Sequence, residues 1–201
     1  MQNASIVVRL ARPADFEQMC EIYRHYVENT AVSFETEPPG CADFSGRIRR
    51  IMEKYPCLVA EEGGKVIGYT YAAAFKERAA YNWAVETTIY LHRDERRRGV
   101  GRMLYTALEE ILRAQGICNV NACIGVPREE KDPYLSRDSV NFHTRMGYRL
   151  VGEFDCCGSK FGRWYNMVWM EKHIRNHPAQ PDPVKWFPDV RAQFSNYEPE
   201  K

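Results

Sequence analysis

The sequence predicts an α+β domain built around a mixed β-sheet. Runs rich in β-branched and aromatic residues read as strands, and they are joined in some places by hairpin signals and in others by helical segments. Both antiparallel and parallel neighbours are therefore expected. The 201 residues provide one domain with a sizeable core. We assign residues 1–174 to this domain and 175–201 to an irregular, proline-rich C-terminal tail.

The first half of the chain predicts two helices and four strands. Pro13 opens the first helix, at a position where the missing N–H of proline does no harm. Gly63-Gly64 is a hairpin signal between two strands. In chain order the predicted elements are a strand at 6–10, a helix from Pro13, a loop at 30–40, a helix at 43–54, and strands at 58–61, 66–75 and 85–91.

The second half predicts a strong amphipathic helix and a return to strands. One face of that helix is apolar, and it consists of Leu104, Ala107, Leu108, Ile111 and Leu112. Gly116 closes the helix. The next elements are a strand at 120–126, a polar insertion at 127–135, a short helix at 138–146, and strands at 148–155 and 161–171. In the tail, Trp186 and Phe187 are expected to pack on the domain.

Composition and charge exclude several classes of protein. The formal net charge of +1 gives no general attraction to nucleic acid or to an anionic membrane. No apolar run approaches the roughly 18 residues of a membrane span, and the N-terminus lacks the pattern of a secretory signal. An odd number of cysteines argues against a disulfide framework, and the absence of a CxxC pair argues against a metal site. We therefore expect a cytoplasmic protein with free thiols, with Cys118 and Cys123 buried.

The run Arg-Arg-Arg-Gly-Val-Gly at residues 96–101 predicts an anion-binding turn. It lies between a strand and a helix, so its backbone N–H groups and the positive end of the helix dipole can face a diphosphate. Arg97, Arg98 and Arg102 add charge at the edges. A solvated basic turn is the alternative. A nucleotide P-loop is excluded because no Gly-Lys-Ser/Thr comes after the turn, and Met103-Leu104 stands where a dinucleotide fingerprint has its third glycine.

Four separate segments resemble the GNAT N-acetyltransferase superfamily, in its phosphinothricin acetyltransferase-like branch. They are the arginine–glycine turn followed by His143-x-x-x-Gly147-Tyr148, residues 30–35 (Thr-Ala-Val-Ser-Phe-Glu), residues 78–86 and residues 160–164. The resemblance implies a GNAT-like, mostly antiparallel mixed sheet with flanking helices. It also implies that one parallel strand pair is splayed apart.

Acetyl-CoA is the co-substrate that the resemblance implies, with no metal. Its pantetheine arm would pair with the backbone of Ile89, Tyr90 and Leu91 like an added strand. Its diphosphate would lie on the turn, whose contacting residues would be Arg97, Arg98, Gly99, Val100, Gly101 and Arg102. Ser136 replaces the asparagine that many relatives have there; it can still cap the helix after it and reach a CoA oxygen.

Glu86 and His143 are the predicted catalytic residues. An amine must lose a proton before it attacks the thioester, and Glu86 matches the family's W-x-V-E glutamate as the base, directly or through water. The alternative is that Glu86 only binds the substrate's ammonium group. His143 could protonate the leaving thiolate, hydrogen-bond the CoA sulfur, or be structural. Tyr134 is an alternative acid, and backbone N–H groups, especially that of Leu91, would polarise the thioester oxygen.

The acceptor is predicted to be a small amino-acid-like amine such as phosphinothricin, methionine sulfoximine or an ordinary amino acid. The segments that border the acceptor pocket in the resembling branch contribute Phe34, Glu35, Arg78, Tyr81 and Lys160. An arginine beside an aromatic wall suits an acceptor with a carboxylate, although Arg78 could equally be a surface residue.

Other functions remain as alternatives. One is acetylation of a protein N-terminus or lysine, a second is a non-catalytic acyl-CoA-binding domain, and a third is nucleic-acid binding through the three arginines. Near-neutral charge argues against the third. The resemblance further implies a homodimer, with the Phe34 loop and the Trp186-Phe187 segment as candidate contacts.

Overall fold

A seven-stranded sheet forms the centre of the protein. The computed structural model describes residues 5–194. Its strands are β1 (Val7–Leu10), β2 (Cys57–Glu62), β3 (Lys65–Ala74), β4 (Ala84–Leu91), β5 (Asn119–Val126), β6 (Arg149–Lys160) and β7 (Arg163–His173). They lie in the order β1-β2-β3-β4-β5-β7-β6, and every neighbouring pair is antiparallel except β4 and β5. The predicted α+β class with a mixed, mostly antiparallel sheet is confirmed.

Helices cover both faces of this sheet. They are α1 (Phe16–Asn29), α2 (Cys41–Met52), α3 (Val100–Gln115), α4 (Asp138–Arg145) and a short α5 (Phe187–Val190). Side chains alternate between two cores along β2: Leu58 and Ala60 pack with α3, whereas Cys57 and Val59 pack with α1 and α2. Among the described helices, none has the length and apolar content that crossing a membrane requires.

Most predicted boundaries agree with the structure to within a few residues, and α1 shows why some shift. Pro13 opens a 3-10 turn (Pro13–Asp15) rather than the α-helix itself. Asp15 accepts two hydrogen bonds from the Arg9 guanidinium and one from the Arg12 backbone N–H. These contacts hold the pKa of Asp15 below its ordinary value against the opposing effect of burial. The turn is therefore fastened to β1 before the helix begins.

Cys20 and Cys41 are joined by a disulfide, with their Cα atoms 5.7 Å apart. The expectation of free thiols alone is therefore wrong at this pair. Cys20 lies on α1 and Cys41 begins α2, 21 positions later. Their pairing depends on how the two helices pack, which the local sequence does not show. Cys118 is buried as expected, whereas Cys123 is exposed.

The C-terminal tail is only partly irregular. Phe187, Val190 and Phe194, which stand on α5 and the 3-10 turn after it, are buried in the same core as α3. Gln115 at the end of α3 donates to the carbonyls of Lys54 and Lys185 at 2.9 and 3.0 Å, and so fastens the tail. Packing of Trp186 and Phe187 on the domain is confirmed. The division at residue 174 stays a prediction, and Pro199 lies outside the described residues.

Replacement of Phe187 by alanine should destabilise the whole domain. Its ring is 2% exposed, and removing such a ring costs about 3–5 kcal/mol. Urea unfolding measures the loss. Asp189→Ala on the same short helix, where the side chain is exposed, should change the free energy of unfolding by no more than about 0.5 kcal/mol. Equal effects of the two variants would contradict burial of Phe187 in the core.

Candidate active site

β4 and β5 form a fork, because their parallel pairing stops after a short stretch. The paired residues are Ala84 with Asn119, Val85 with Val120 and Glu86 with Asn121. Beyond this register β4 continues to Leu91 paired with β3, while β5 continues to Val126 paired with β7. The backbone groups that face the gap are thereby left for another partner. This is the splayed pair that the resemblance implies.

A cavity of about 1530 Å³ opens at the fork. It receives side chains from β4, the arginine–glycine turn, α4, β5 and the loop after α1. The predicted site residues that line it are Phe34, Glu86, Ile89, Tyr90, Leu91, Arg97, Arg98, Gly99, Val100, Gly101, Arg102, Ser136 and His143. Glu35, Arg78, Tyr81 and Lys160 are not among its lining residues. The structure therefore brings the predicted catalytic and cofactor groups together, but only one of the predicted acceptor residues.

The backbone of the arginine–glycine turn adopts left-handed angles that point its N–H groups outward. Arg97 and Gly99 both have left-handed conformations, with φ of 58° and 82°. Gly99 is the N-cap of α3, so the unpaired N–H groups of the first turn open toward the cavity. At Gly101 the reason for glycine is different, because a Cβ there would meet the Phe142 ring at 3.1 Å. Gly101 thus allows α4 to approach α3.

The arginines of the turn are not equivalent. The Arg98 guanidinium donates to Glu62 at 2.5 and 2.9 Å and to Glu95 at 2.9 and 3.1 Å, and these carboxylates raise its pKa. Its charge is already compensated by the protein. Within the described residues, no ion pair is found for Arg97 or Arg102. Those two therefore offer uncompensated positive charge to an anion in the cavity.

Glu86 stands at the branching point of the fork. It is half-buried, and burial raises the pKa of its carboxyl group, an effect that the charge of Lys76 partly opposes. Because side chains alternate along a strand, Glu86 shares a sheet face with Cys123 and Met167, which also line the cavity. A carboxylate with a raised pKa is a stronger base than an ordinary one, as proton removal from an amine requires.

Both ring nitrogens of His143 are occupied within the protein. Nδ1 lies 2.7 Å from the carbonyl oxygen of Ser139, which can only accept, so Nδ1 carries the proton. Nε2 then accepts from the Tyr105 hydroxyl at 3.0 Å. The ring is 3% exposed, and burial lowers its pKa to about 4. His143 is therefore neutral, with no proton on Nε2, and this geometry favours its structural role over that of acid.

Thr87 and Tyr148 extend this network to the fork, and sequence reasoning missed both. The Thr87 hydroxyl donates to the carbonyl oxygen of Asn121 at 3.1 Å and lies 3.2 Å from the Tyr148 hydroxyl. The Tyr105 hydroxyl is 3.3 Å from the same oxygen. A threonine in a β-branched strand reads as an ordinary core residue, and Tyr148 was noted only as the end of the motif that begins at His143.

The loop after α1 places Phe34 on the wall of the cavity. Its ring lies against two glycines of the sheet: a Cβ on Gly158 would meet it at 2.4 Å, and one on Gly125 at 3.3 Å. The ring is also 6.2 Å from Tyr165. The absence of side chains at these two strand positions thus makes the slot that holds Phe34.

Lys160, at the end of β6, is hydrogen-bonded to the backbone of the same loop. Its ammonium group donates to the carbonyl oxygen of Ser33 at 2.7 Å, and the side chain is only 4% exposed. Burial lowers its pKa, an effect that the charge of Glu35 opposes. The Ser33 hydroxyl pairs with Tyr23 at 2.8 Å. The structure therefore gives Lys160 a partner in the loop backbone instead of a place on the cavity wall.

The remaining predicted acceptor residues also have positions of their own. Glu35 forms an ion pair with Arg47 at 2.6 Å. Tyr81 is exposed on a 3-10 turn (Ala79–Tyr81) with its ring 6.0 Å from that of Phe75. Arg78 caps this turn and is exposed as well. Their role in acceptor binding stays a prediction.

The insertion at 127–135 is joined to the loop after α1. Asp132 accepts from the backbone N–H groups of Tyr134 and Leu135 at 2.8 and 3.0 Å. The carbonyl of Tyr134 accepts from Ala31 at 3.0 Å, and its ring stacks on Phe161 at 4.3 Å. Tyr134 lines the cavity. The Ser136 hydroxyl accepts from the N–H of Asp138, the first residue of α4.

Comparison of the sequence with known proteins finds acetyltransferases. A family described as "Acetyltransferase (GNAT) domain" matches residues 8–169. A phosphinothricin N-acetyltransferase of Streptomyces viridochromogenes is 37% identical over 92% of this chain and 96% of its own. An L-methionine sulfoximine/L-methionine sulfone acetyltransferase of Pseudomonas paraeruginosa is 30% identical over 85% of this chain and 95% of its own.

A solved structure agrees. A GNAT superfamily phosphinothricin acetyltransferase from Sinorhizobium meliloti, in complex with AcCoA, superposes with a TM-score of 0.79 and 33% identity. The superposition covers 92% of this chain and 97% of that one. Fold, length and sequence similarity therefore coincide over nearly the whole of both proteins.

Burial of a neutral His143 predicts a pH-dependent stability. Histidine in the unfolded chain titrates near 6.5 and His143 in the fold at about 4, so between these values the unfolded state binds the additional proton. Stability from this site is complete above about pH 6.5 and falls by up to about 3 kcal/mol as the pH is lowered through about 4. Urea unfolding of His143→Gln should show a shallower loss in this window. A curve parallel to that of the control His173→Gln, at an exposed histidine, would contradict the assignment.

Proposed function

This chain belongs to the GNAT acetyltransferase family, and from that membership we propose that it moves the acetyl group of acetyl-CoA to the amine of a small amino-acid-like acceptor. Phosphinothricin and methionine sulfoximine are the acceptors in the names of its relatives. The observation that carries the proposal is the fork between β4 and β5, with Glu86 at its branching point and the arginine–glycine turn at its far end.

The residues of the cavity fit acetyl-CoA. When bound, it supplies an acetyl group activated as a thioester. The backbone of β4 that faces the gap, at Ile89 and the N–H of Leu91, would hold the pantetheine arm in the manner of an added strand, whereas the Leu91 carbonyl already accepts from the Tyr26 hydroxyl at 2.8 Å. The N–H groups at the start of α3, with Arg97 and Arg102, would hold the diphosphate. Arg98 forms ion pairs with Glu62 and Glu95, and these contacts hold the turn against the end of β2.

Glu86 prepares the acceptor. An amine with a pKa of about 10 is protonated at neutral pH and cannot attack until the proton is removed. We assign Glu86 as the base, acting directly or through water, because it is half-buried, lines the cavity and has a raised pKa. The thiolate proton is assigned to Tyr134, which lines the same cavity, since Nε2 of His143 carries no proton. Loss of turnover in His143→Gln but not in Tyr134→Phe would reverse that assignment.

The acceptor pocket lies on the face of the sheet that carries Glu86. Phe34 forms one wall, and Cys123 and Met167 line it as well. Arg78 and Tyr81, on the turn that leads into β4, remain our candidates for the acceptor's carboxylate. The guanidinium of Arg78 suits that role because it can donate two parallel hydrogen bonds to one carboxylate.

A panel of acceptors tests the proposed function. Thiol release from acetyl-CoA is measured with amino acids, phosphinothricin, methionine sulfoximine and the carboxamide of each. We expect turnover with the acids and a higher KM for the carboxamides. No turnover with any small amine by a protein that binds CoA would refute the proposal. Equal KM values for acid and carboxamide would refute the role of Arg78.

Replacing Glu86 by glutamine should remove the base while keeping the side chain's size. We expect kcat to fall by about 10²- to 10⁴-fold, and the acidic limb of the pH–rate profile to disappear. In the unchanged enzyme this limb should lie above the usual pH range of a glutamate, because burial raises the pKa. Glu17→Gln, at an exposed residue of α1, is the matched control. An unaltered profile in Glu86→Gln would leave Glu86 as a binding residue only.

The proposed assembly is a homodimer formed along β6. This strand ends the sheet, so among residues 5–194 one side of its backbone has no strand beside it, and its Leu150, Val151 and Phe154 are each more than half exposed. An open edge with apolar side chains is a ready surface for a second copy. Phe187 cannot serve as the contact predicted from sequence, because it is buried in its own core.

The double variant Leu150→Asp/Phe154→Asp tests this interface. Two carboxylates on an apolar face would have to be desolvated on association, so the variant should be monomeric. Light scattering on a sizing column reads the mass. Val7→Asp, on the strand at the other end of the sheet, serves as the control. A dimer that persists in the double variant would place the interface elsewhere.

We propose the cytoplasm as the site of action, because Cys57, Cys118, Cys123, Cys156 and Cys157 are free thiols. In that reducing compartment the Cys20–Cys41 bond would be open. Rapid alkylation of cell extracts followed by mass measurement shows which state is present. A bond that is oxidised in cells would argue for a different compartment.

A further inference from the structure

Two side chains fasten β4 to β5 at the fork, one on each face of the sheet. The Asn121 amide Nδ2 donates to the carbonyl oxygen of Val85 at 3.0 Å. The Thr87 hydroxyl donates to the carbonyl oxygen of Asn121 at 3.1 Å. Thr87 comes directly after Glu86, which pairs with Asn121, so its side chain and that of Asn121 lie on opposite faces. Thr87 is thus the first residue beyond the ladder, and its hydroxyl makes the last link between the strands.

The hydroxyl of Thr87 is itself aimed by a buried network. Because its own proton goes to Asn121, its oxygen accepts from Tyr148 at 3.2 Å. The Tyr105 hydroxyl donates within reach of two acceptors, the same Thr87 oxygen at 3.3 Å and Nε2 of His143 at 3.0 Å, and the Nδ1 proton of His143 goes to Ser139 on α4. All donors in this chain are used, and Thr87 is 5% exposed. The network therefore connects the fork to α3 and α4, two of the helices that line the cavity.

The place where the ladder ends decides where the free backbone of β4 begins. A carbonyl or N–H group of β4 that is bonded to β5 cannot bind a ligand in the cavity. A group that is not bonded to β5 needs another partner. The Thr87 hydroxyl gives the carbonyl of Asn121, at the last pair of the ladder, a side-chain donor. Residues 88–91 of β4 then line the cavity, where the Leu91 carbonyl accepts from the Tyr26 hydroxyl at 2.8 Å.

Resting on the proposed function, we propose that Thr87 is a positioning residue for acetyl transfer. Its hydroxyl fixes the point at which β4 leaves β5, and so holds the N–H groups that polarise the thioester oxygen. It acts through the backbone of β4 and touches neither the acetyl donor nor the acceptor. Polarising donors are effective only when they stand within a few tenths of an ångström of the developing charge.

The test compares Thr87→Val with Thr87→Ser and Thr70→Val. Valine keeps the shape of threonine without the hydroxyl, and serine keeps the hydroxyl. Thr70 is the matched control: it is also buried and also donates to a β4 carbonyl, that of Thr88 at 2.7 Å, but from the β3 side. Steady-state kinetics, the CoA dissociation constant, thermal unfolding and hydrogen exchange of residues 88–91 are measured for each variant.

We expect Thr87→Val to lower kcat by about 10-fold or more, while the CoA dissociation constant changes by less than about threefold. Thr87→Ser should recover kcat to within about threefold. Amides of 88–91 should exchange faster in Thr87→Val than in Thr70→Val, although both variants lose one buried hydroxyl and a similar part of their thermal stability.

Either of two kinetic results with Thr87→Val and its control would overturn the proposal. One is a kcat within threefold of the unchanged enzyme in Thr87→Val; the other is an equal loss in Thr70→Val, which would reduce Thr87 to a general contribution to stability. If Thr87→Val does not fold, Tyr148→Phe replaces it. This variant removes the donor to Thr87 and should lower kcat by a smaller factor, whereas an unchanged kcat would overturn the proposal.

Failure of the proposed function is distinguishable from failure of this inference. An unchanged enzyme that acetylates no amine refutes the function. The exchange of residues 88–91 in the CoA complex does not depend on turnover. Faster exchange in Thr87→Val than in Thr70→Val still supports the positioning of β4, and equal exchange overturns it.

Discussion

The parting of two neighbouring strands is the constraint around which this protein is organised. β4 must remain in the sheet through β3 while it separates from β5, and every backbone group exposed by that separation needs a partner. The hydroxyl of Thr87 and the amide of Asn121 close the ladder at its last pair. Beyond it, α3 and α4 approach from one side, and Gly101 lets them meet closely. The chemistry that the cavity supports depends on this separation, because a complete ladder would leave no exposed edge.

Local patterns in the sequence predicted the parts of the fold that local forces decide. The strand around residues 85–91, the glycine turn and the amphipathic α3 have strong signals of composition and period, and they occur where expected. The short helix at Phe187 was missed because its stability comes from burial in a core formed far away in sequence. The pairing of Cys20 with Cys41 was missed for the same reason.

For the site residues as well, local sequence signals were predictive and contacts between distant parts of the chain were not. Glu86 was predicted from its match to the W-x-V-E segment and the turn from its glycines between a strand and a helix, and both line the cavity at the fork. The partners of His143 could not be predicted: its tautomer depends on Ser139 within α4 and on Tyr105 in another helix. Lys160 was predicted to border the acceptor pocket, but its ammonium group contacts the carbonyl oxygen of Ser33, 127 positions away in the chain. The arginines of the turn looked alike in sequence, and only the positions of Glu62 and Glu95 separate Arg98 from the others.

The burial of the tail has a consequence for how the family should be delimited. The region that matches the family ends at residue 169, yet the hydrophobic core is completed by Phe187, Val190 and Phe194. The unit by which the family is described and the cooperative unit of folding are therefore different lengths of chain. Two homologues with the same catalytic machinery can then differ in thermodynamic robustness according to the segment that each carries after its last strand. Variation outside the matched region becomes a means of adjusting stability without altering the chemistry.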